Sequence, residues 1–362
     1  MRALVLRGFG DAAVEDVPDP VPGPGEVVID VACVQPSVTE CMLLAGAPVA
    51  MHDTLARRLV AGPTRFGGHE FAGVVGAVGP GVDPAWKGAR VTAVETAACG
   101  RCAACRRDRP DACPSPAVLG FTGPGAFAEQ VRVPAKTLVR VPAKVDAAEA
   151  AAVQPLAGAI HGHAAAGVRP GDAVLVIGAG VMGVLHVQVA RHGNAGLVMA
   201  TGRSPAKRDL AARAGADLVI DAADDVATAV LEATDGIGAD VVFECAGEGT
   251  FELAARCVRR GGTIVMVSVL PAGAPAPLAL LRERSVALLH PRSGAGGYAP
   301  GSGAFEHALR LVERGDVDVA ALISHRLAGI EALPEALAIT GDKRRHGALG
   351  PAQVDVFDWD RA

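Results

Sequence analysis

The fold is decided by the residues from Val174 to Gly183, which read VLVIGAGVMG. An apolar run of strand length comes first, and an apolar segment with helical spacing, 181–192, follows it. The pattern between them is G-x-G-x-x-G, which is weak evidence alone and strong evidence between a strand and a helix. It predicts a tight turn at Gly178, close approach of a ligand to the backbone at Gly180, and close helix–strand packing at Gly183.

Outward from this stretch, strand-like and helix-like segments alternate along the chain. The predicted strands are 173–177, 197–201, 218–221, 240–244 and 263–269, and the predicted helices between them are 181–192, 205–214, 226–234 and 250–258. Such a run of βα units predicts an α/β fold with a doubly wound parallel sheet, the Rossmann architecture that binds dinucleotides. We expect this domain to span residues 151–291, with Val181 and Met182 of the glycine-rich turn also at the phosphates.

The end of the second strand selects the cofactor in such domains. An Asp or Glu about 20 residues after the glycine pattern holds the ribose 2′-hydroxyl of NAD. Here Gly202 stands at that place, and Arg203, Ser204 and Lys207 follow it. Because an arginine favours the 2′-phosphate that an acid would repel, the segment predicts NADP(H). In the alternative, NAD(H) binds and the two cations are solvated charges at a helix entry.

Four of the eight cysteines crowd together and predict a metal site. Cys99, Cys102, Cys105 and Cys113 give the spacing C-x2-C-x2-C-x7-C. Four close thiolates can complete a tetrahedral zinc site, and a site closed by four protein ligands is structural and not catalytic. We therefore expect one structural zinc.

Composition excludes several classes of function. The net charge is −5 and no long basic run occurs, so nucleic-acid binding is not expected. No run reaches the ~18 apolar residues of a membrane span, and the first residues are too short an apolar run for a signal peptide. A cytoplasmic protein with no membrane partner is the expectation.

The whole layout resembles the zinc-dependent medium-chain dehydrogenase/reductase family, which includes alcohol, polyol and butanediol dehydrogenases. The resemblance rests on the segment GGHEFAG (67–73), the four-cysteine lobe, the segment QPLA (154–157) and the Rossmann pattern. It implies a GroES-like β-rich catalytic domain in residues 1–150, completed by residues 292–362. It also implies hydride transfer between a nicotinamide cofactor and a small molecule, in a homodimer or homotetramer, with a layout most like polyol and butanediol dehydrogenases.

The resemblance assigns further residues. His69 and its neighbour Glu70 match the segment that supplies a catalytic zinc ligand. The residues that end the fourth and fifth strands, Cys245 with Ala246 and Val267 with Ser268 and Val269, are expected at the cofactor, the latter three beside the nicotinamide.

The sequence departs from the family at the other catalytic ligands. The family pattern Gly-Ile-Cys-Gly-(Ser/Thr)-Asp-x-His corresponds to the stretch ending in VQPSVTEC (34–41). In that register Pro36 falls on the ligand cysteine, Val38 on the hydroxyl residue of the proton relay, and Cys41 on the histidine. Gln154 stands where polyol-type members carry a glutamate.

Three interpretations follow for the chemistry. A catalytic zinc could bind through His69, Glu70 and the thiolate of Cys41, or less readily of Cys33, and polarise a carbonyl or alcohol oxygen. Alternatively, the catalytic metal is absent, and Glu70 or Cys41 supplies the proton for reduction of an activated C=C, C=N or C=O bond. In the third, the chain binds NADP(H) without turnover.

Overall fold

The computed structural model describes residues 1–247, 249–270, 273–291 and 303–360. The chain divides into two compact units. The first unit contains residues 1–157 and, of the later described residues, 303–315 and 319–360. The second unit contains the described residues between 158 and 291, together with Asp316–Asp318. No helix in these described ranges is long and apolar enough to cross a membrane.

The elements are numbered along the chain. The strands are β1 (Arg2–Gly8), β2 (Asp11–Asp16), β3 (Glu26–Gln35), β4 (Thr64–Arg65), β5 (Glu70–Val78), β6 (Arg90–Ala93), β7 (Thr96–Ala97), β8 (Ala117–Val118), β9 (Gln130–Pro134), β10 (Leu138–Arg140), β11 (Ala173–Ile177), β12 (Leu197–Gly202), β13 (Leu218–Asp221), β14 (Ala239–Glu244), β15 (Val258–Met266), β16 (Ala287–Leu289), β17 (His325–Ala328) and β18 (Ala352–Asp355). The helices are α1 (Val38–Leu44), α2 (His52–Val60), α3 (Ala147–Ala151), α4 (Val153–Ala166), α5 (Val181–His192), α6 (Pro205–Arg213), α7 (Val226–Ala233), α8 (Phe251–Cys257), α9 (Leu278–Glu283), α10 (Ala304–Glu313) and α11 (Leu333–Gly341).

The first unit is built on a mainly antiparallel sheet. Its strand order is β10-β6-β5-β3-β18-β17, and β9 also pairs with β3. Strand β18 pairs antiparallel with β3, Val354 opposite Val34, so the last described strand extends the sheet begun near the start of the chain. Alternate residues of β3, such as Val27, Ile29 and Val31, are fully buried in one apolar cluster, as the two-residue period of a strand requires.

The second unit is a parallel sheet with the order β13-β12-β11-β14-β15-β16. Along β11, Val174 and Val176 pack into one apolar cluster while Leu175 and Ile177 pack into another, because a parallel sheet is covered on both faces. The strand order reverses between β11 and β14. Ligands of such sheets bind outside the carboxyl ends of the strands at this reversal. The predicted fold class is confirmed.

The prediction for the fifth strand of this sheet is wrong at its carboxyl end. The strand ends at Met266, and Val267 to Val269 lie beyond it. The backbone N–H groups of Val267 and Ser268 both donate to the carbonyl oxygen of Glu244, at 2.9 and 3.1 Å, so the chain turns across the end of β14. Helix α9 and the sixth strand, β16, were not predicted; both are short, and their residues lack a clear period.

Two buried histidines stack on one phenylalanine inside the second unit. The rings of His163 (α4) and His186 (α5) each lie 4.2 Å from the ring of Phe243, centroid to centroid. Nε2 of His163 and Nδ1 of His186 have no hydrogen-bond partner among the described residues. Burial lowers the pKa of His163 to about 3 and holds the pKa of His186 well below its usual value.

These histidines predict acid sensitivity of the second unit. Both are neutral in the folded protein, whereas a histidine in the unfolded chain takes up a proton below about pH 6.5. The unfolded state therefore binds more protons as pH falls through 6.5, and the free energy of unfolding decreases, by up to about 1.4 kcal/mol per pH unit for each histidine. Urea unfolding at pH 7.5, 6.5 and 5.5, followed by amide hydrogen exchange in the second unit, measures this slope.

The variant His163→Phe should reduce the slope, because it removes one of the two groups. The exposed His192→Gln is the control and should keep it. Equal slopes for His163→Phe and the unaltered protein would contradict the assignment.

Candidate active site and metal centre

A glycine turn places His69 at the start of β5. Gly68 has a φ of +82°, and a Cβ at this position would overlap the backbone nitrogen of Phe127. Only glycine fits such a close approach in this conformation. The ring of His69 is buried and lies 5.1 Å from the ring of Phe121, centroid to centroid.

A carboxylate that the sequence analysis missed fixes the orientation of this histidine. Glu40 is fully buried, and its Oε1 accepts hydrogen bonds from Nδ1 of His69 at 2.8 Å and from the backbone N–H of Gly68 at 2.6 Å. Its Oε2 accepts from the backbone N–H of Ser37, which caps helix α1 in return. The signal was present in the sequence, since Ser37-x-x-Glu40 directly after a strand is a capping box.

The charges of this pair support each other. Burial works to lower the pKa of His69, but the carboxylates of Glu40 and Glu70 outweigh it and the pKa rises to about 9. Burial works to raise the pKa of Glu40, yet the His69 ring and the donors at Ser37 and Gly68 hold it below its usual value. A charged histidine and a charged carboxylate are therefore the stable forms.

Glu70 lies on the other side of the imidazole. Its Oε1 is 3.7 Å from Nε2 of His69, and its Oε2 accepts a hydrogen bond from Nε2 of Gln35 at 2.5 Å. Gln35 is held in turn by Nε2 of Gln353 at 2.9 Å, and Gln353 also donates to the carbonyl of Ala148. Burial raises the pKa of Glu70 to about 7, against the lowering effect of His69. The carboxyl group can therefore gain or lose a proton near neutral pH.

Gln154 belongs to a second buried pair in the first unit. Its Nε2 donates to Oε1 of Glu95 at 3.0 Å. Oε2 of Glu95 has no hydrogen-bond partner among the described residues, and burial raises the pKa of this carboxyl. The amide nitrogen of Gln154 is thus engaged by a carboxylate.

The two thiols considered as zinc ligands are directed elsewhere. Sγ of Cys41 donates to the carbonyl of Leu337 at 3.4 Å, on helix α11, and burial raises the pKa of this thiol to about 12. Sγ of Cys33 lies 3.5 Å from Oε1 of Gln353, and burial also raises its pKa. The structure therefore does not bring Cys41 or Cys33 to His69 and Glu70.

The four clustered cysteines converge as the spacing predicted. Their sulfur atoms all lie within 4.8 Å of one another. Two of these distances are 3.4 Å, from Cys102 to Cys105, and 4.0 Å, from Cys102 to Cys113. Zinc–sulfur bonds of about 2.3 Å in a tetrahedron give sulfur separations in this range. Over the described part of the chain, this is the one such group of three or more His, Cys, Asp or Glu donors.

The glycine-rich turn of the second unit has the shape that a dinucleotide requires. Gly178 has a φ of +100°, and a Cβ there would stand 2.9 Å from Cβ of Ala246. A Cβ at Gly183 would overlap the carbonyl of Gly178. At Gly180, which precedes α5, no described atom lies within 4 Å of the Cβ position. Space for a ligand therefore opens at the N–H groups of Val181 and Met182, as anion binding at a helix N-terminus needs.

The end of β12 is followed by cations and a serine hydroxyl. Gly202 is buried, and Arg203 is exposed. Ser204 precedes helix α6, and within the described chain its side chain makes no capping bond to that helix. The residue opposite Gly202 on the neighbouring strand, Asp221, is paired with Arg208 at 2.7 Å. Lys207 follows in the first turn of α6.

The other predicted cofactor residues lie at the carboxyl ends of β14 and β15. Cys245 donates its backbone N–H to Ile177 at 2.9 Å, and Ala246 packs against Gly178. Ser268 donates its hydroxyl to Glu244. Val269, beyond the end of β15, is 54% exposed.

A Rossmann unit with this turn, joined to a β-rich unit with a buried histidine–carboxylate site, defines a pyridine-nucleotide-dependent oxidoreductase. The family models agree. Residues 23–143 match the alcohol dehydrogenase GroES-like domain, and residues 181–314 match the zinc-binding dehydrogenase domain. The chain belongs to the zinc-dependent medium-chain dehydrogenase/reductase family and is an alcohol-dehydrogenase-like oxidoreductase.

Similar proteins include two curated dehydrogenases and a solved structure. The L-threonine 3-dehydrogenase of Pyrococcus horikoshii is 33% identical over 73% of this chain and 74% of its own length. The sorbitol dehydrogenase of Halalkalibacterium halodurans is 35% identical over 68% of this chain and 70% of its own. A zinc-binding dehydrogenase from Sinorhizobium meliloti 1021, bound to NADP, is 30% identical over 98% of both chains, with a TM-score of 0.82.

The cysteine cluster predicts one zinc ion per chain in protein purified without chelators. Cys113→Ser should lose this zinc and lower the melting temperature, because metal-binding energy is part of the folding energy of such a lobe. Elemental analysis and differential scanning fluorimetry measure both effects. Cys41→Ser, outside the cluster, is the control and should retain the metal; zinc-free native protein would refute the site.

Proposed function

We propose that this chain is an NADP(H)-dependent oxidoreductase that transfers hydride between the nicotinamide and a small alcohol or carbonyl compound without the usual three-ligand catalytic zinc. The observation that carries the proposal for the cofactor is the segment Gly202-Arg203-Ser204 at the end of β12. The observation that carries the proposal for the chemistry is the donor set around His69.

Electrostatics at the end of β12 favour a 2′-phosphate. The strand ends in a glycine, so no carboxylate competes for the ribose 2′-hydroxyl there. The neighbouring Asp221 is neutralised by Arg208. Arg203 and the Ser204 hydroxyl then remain to bind phosphate oxygens through charge-assisted hydrogen bonds. The related dehydrogenase of S. meliloti, which is bound to NADP, supports the same choice.

A preference for NADPH over NADH follows, on the order of tenfold to a hundredfold, from one charge-assisted contact of about 1.5–3 kcal/mol. Titration of both cofactors by protein fluorescence measures the ratio. Arg203→Ala should weaken NADPH and leave NADH nearly unchanged, whereas Arg213→Ala, at the far end of α6, serves as the control and should change neither. Equal affinities of the native protein for the two cofactors would reject the proposal.

The donor set at His69 does not fit a catalytic zinc. Such a site has three protein ligands and an open position. Here Nε2 of His69 and Oε1 of Glu70 are 3.7 Å apart and could share a metal, but Glu40 is bonded to the other ring nitrogen, Nδ1. Among the described residues, no third His, Cys, Asp or Glu donor atom converges with this pair to make a group of three. Gln154 is neutral, and its amide nitrogen faces Glu95. The four-cysteine lobe, by contrast, has its ligands converged, and we assign zinc there as a structural ion.

The position of Glu40 changes how the family pattern is matched. If the acid of the pattern is matched with Glu40, which holds the histidine, the register moves by one residue. Ser37 then falls on the ligand cysteine and Thr39 on the hydroxyl residue, in place of Pro36 and Val38. Neither Ser37 nor Pro36 is a thiolate, so the ligand is lost in both registers. The hydroxyl is retained in the new one, and Val38, which is 50% exposed, is no longer its counterpart.

We assign proton transfer to Glu70. The bound cofactor supplies a hydride to the substrate carbon or accepts one from it. When a carbonyl is reduced, its oxygen gains a proton, and Glu70 can provide it because its pKa of about 7 leaves a protonated fraction at neutral pH. His69, charged and fixed by Glu40, adds a positive charge that stabilises negative charge developing on that oxygen. Alcohol oxidation runs the same steps backward.

Substrates with an activated carbonyl suit this site best, since a histidinium polarises an oxygen less strongly than zinc does. Two relatives are a threonine dehydrogenase and a sorbitol dehydrogenase, so hydroxyl compounds of this kind are the candidate alcohols for the reverse reaction, alcohol oxidation. The reading in which the chain binds the cofactor without turnover is tested by the same assay.

Glu70→Gln should lower kcat by about 10²–10⁴-fold for NADPH oxidation with a panel of aldehydes and activated ketones such as diacetyl, because proton transfer is lost. Cys41→Ser should keep activity, since its thiol faces α11. Anomalous diffraction at the zinc edge, measured on crystals grown with cofactor, shows where zinc is bound. A full-occupancy peak beside His69 with two further protein ligands would overturn the zinc-free chemistry, and no turnover with any carbonyl would favour the non-catalytic reading.

A further inference from the structure

A second buried carboxylate organises the loops of the Rossmann unit. Glu244 is fully buried at the end of β14. Its Oε1 accepts three hydrogen bonds, from the backbone N–H of Ala246 at 2.7 Å, from that of Gly247 at 2.8 Å, and from Oγ1 of Thr250 at 2.6 Å. Its Oε2 accepts one from the hydroxyl of Ser268. One side chain thus ties the loop after β14 to the segment after β15.

The same loop is fastened to the glycine-rich turn. The backbone N–H of Cys245 donates to the carbonyl of Ile177, the last residue of β11, at 2.9 Å. Ala246 lies close to Gly178, because a Cβ added at Gly178 would be 2.9 Å from the Cβ of Ala246. The hydrogen bond from the backbone N–H of Ala246 to Glu244 therefore holds the methyl group of Ala246 in place. The glycine-rich turn packs against that methyl group at Gly178.

The strand order separates the two halves of a dinucleotide. A bound pyrophosphate would lie at the N-terminus of α5, at the reversal between β11 and β14. The end of β12, with Arg203, is on one side of this point and would hold the adenosine half. The ends of β14 and β15 are on the other side, where the nicotinamide half would bind.

We propose that Glu244 is a positioning residue for the nicotinamide half of the bound cofactor. It acts through the loop at Ala246 and Gly247 and through Ser268, and it is not itself a group that touches reacting atoms. The proposal rests on the proposed function only in that a nicotinamide dinucleotide is the ligand.

The hydrogen-bond geometry distinguishes two substitutions at this position. A glutamine can keep its oxygen on the three donors and turn its amide nitrogen to Ser268, whose hydroxyl can accept as well as donate. A leucine of similar size leaves the backbone N–H groups of Ala246 and Gly247 without their acceptor, which a buried site does not tolerate without rearrangement, whereas the Thr250 hydroxyl can donate to the carbonyl of Gly247 at 2.8 Å. Glu244→Gln is thus the conservative variant and Glu244→Leu the disruptive one.

The test compares two probes by isothermal calorimetry. NADPH spans the whole site, and 2′,5′-ADP occupies only the adenosine half. Glu244→Leu should weaken NADPH by at least about tenfold, because it leaves buried backbone donors unpaired, and should leave 2′,5′-ADP within about twofold. Glu244→Gln should bind both probes within about threefold of the native protein. Glu232→Gln, an exposed carboxylate of α7, is the matched control and should bind as the native protein does.

Equal weakening of both probes would show that Glu244 only holds the unit together, and unchanged binding of NADPH would show that the loop does not need it; either result overturns the proposal. If Glu244→Leu does not fold, Thr250→Val removes one of the three donors and should show the same selective loss at smaller size. Failure of the native protein to bind 2′,5′-ADP would refute the NADP(H) preference alone, and the comparison then continues with NADH and 5′-AMP.

Discussion

A buried carboxylate stays charged most readily where several donors surround it, and each unit of this protein contains one fully buried glutamate that accepts three or more hydrogen bonds. In the first unit, Glu40 joins the helix that follows β3 to the glycine turn before β5, and thereby sets the ring of His69. In the second unit, Glu244 gathers the loops at the ends of β14 and β15. Glu40 lies in the first turn of α1 and Glu244 is the last residue of β14, and both accept from backbone N–H groups that would otherwise lack an acceptor. The chemistry of the two sites is different, but the same requirement positions both.

The first four strands of the second unit and the helices between them could be predicted because their information is local, whereas α9, β16 and the bounds of β15 could not. Strand β11 and helix α5 have the bounds that apolar periodicity indicates, and the glycine pattern between them predicts the tight turn that joins them. The first unit could not be predicted this way. Its site joins Gln35 and Glu40 to His69 and to Gln353, three segments that are distant along the chain. No local sequence pattern predicts contacts between such segments.

Cys41 shows how a small local feature sets the direction of a side chain. The capping box directs Glu40 inward, and one step along a helix turns the next side chain by about 100°. Cys41 therefore points to α11 and away from His69. The sequence alone left this open, because the direction depends on which residue begins the helix. Because the start of this helix was not known from the sequence, the family pattern could be matched in two registers that differ by one residue. In both registers the position of the family's ligand cysteine is occupied by a residue other than cysteine, Pro36 or Ser37, and this statement about residue types needs no geometry.

The eight cysteines fall into two groups with different exposure to oxidants. Those outside the metal lobe, Cys33, Cys41, Cys245 and Cys257, all have a pKa raised by burial, so they are protonated thiols at physiological pH. A thiol reacts slowly with peroxide or with alkylating agents, because the thiolate is the nucleophile. Among the cysteines, oxidation should accordingly begin in the four-cysteine lobe. If that lobe holds zinc, as we propose, oxidation of its thiolates would release the ion, so this lobe would lose its structure before the buried thiols elsewhere react.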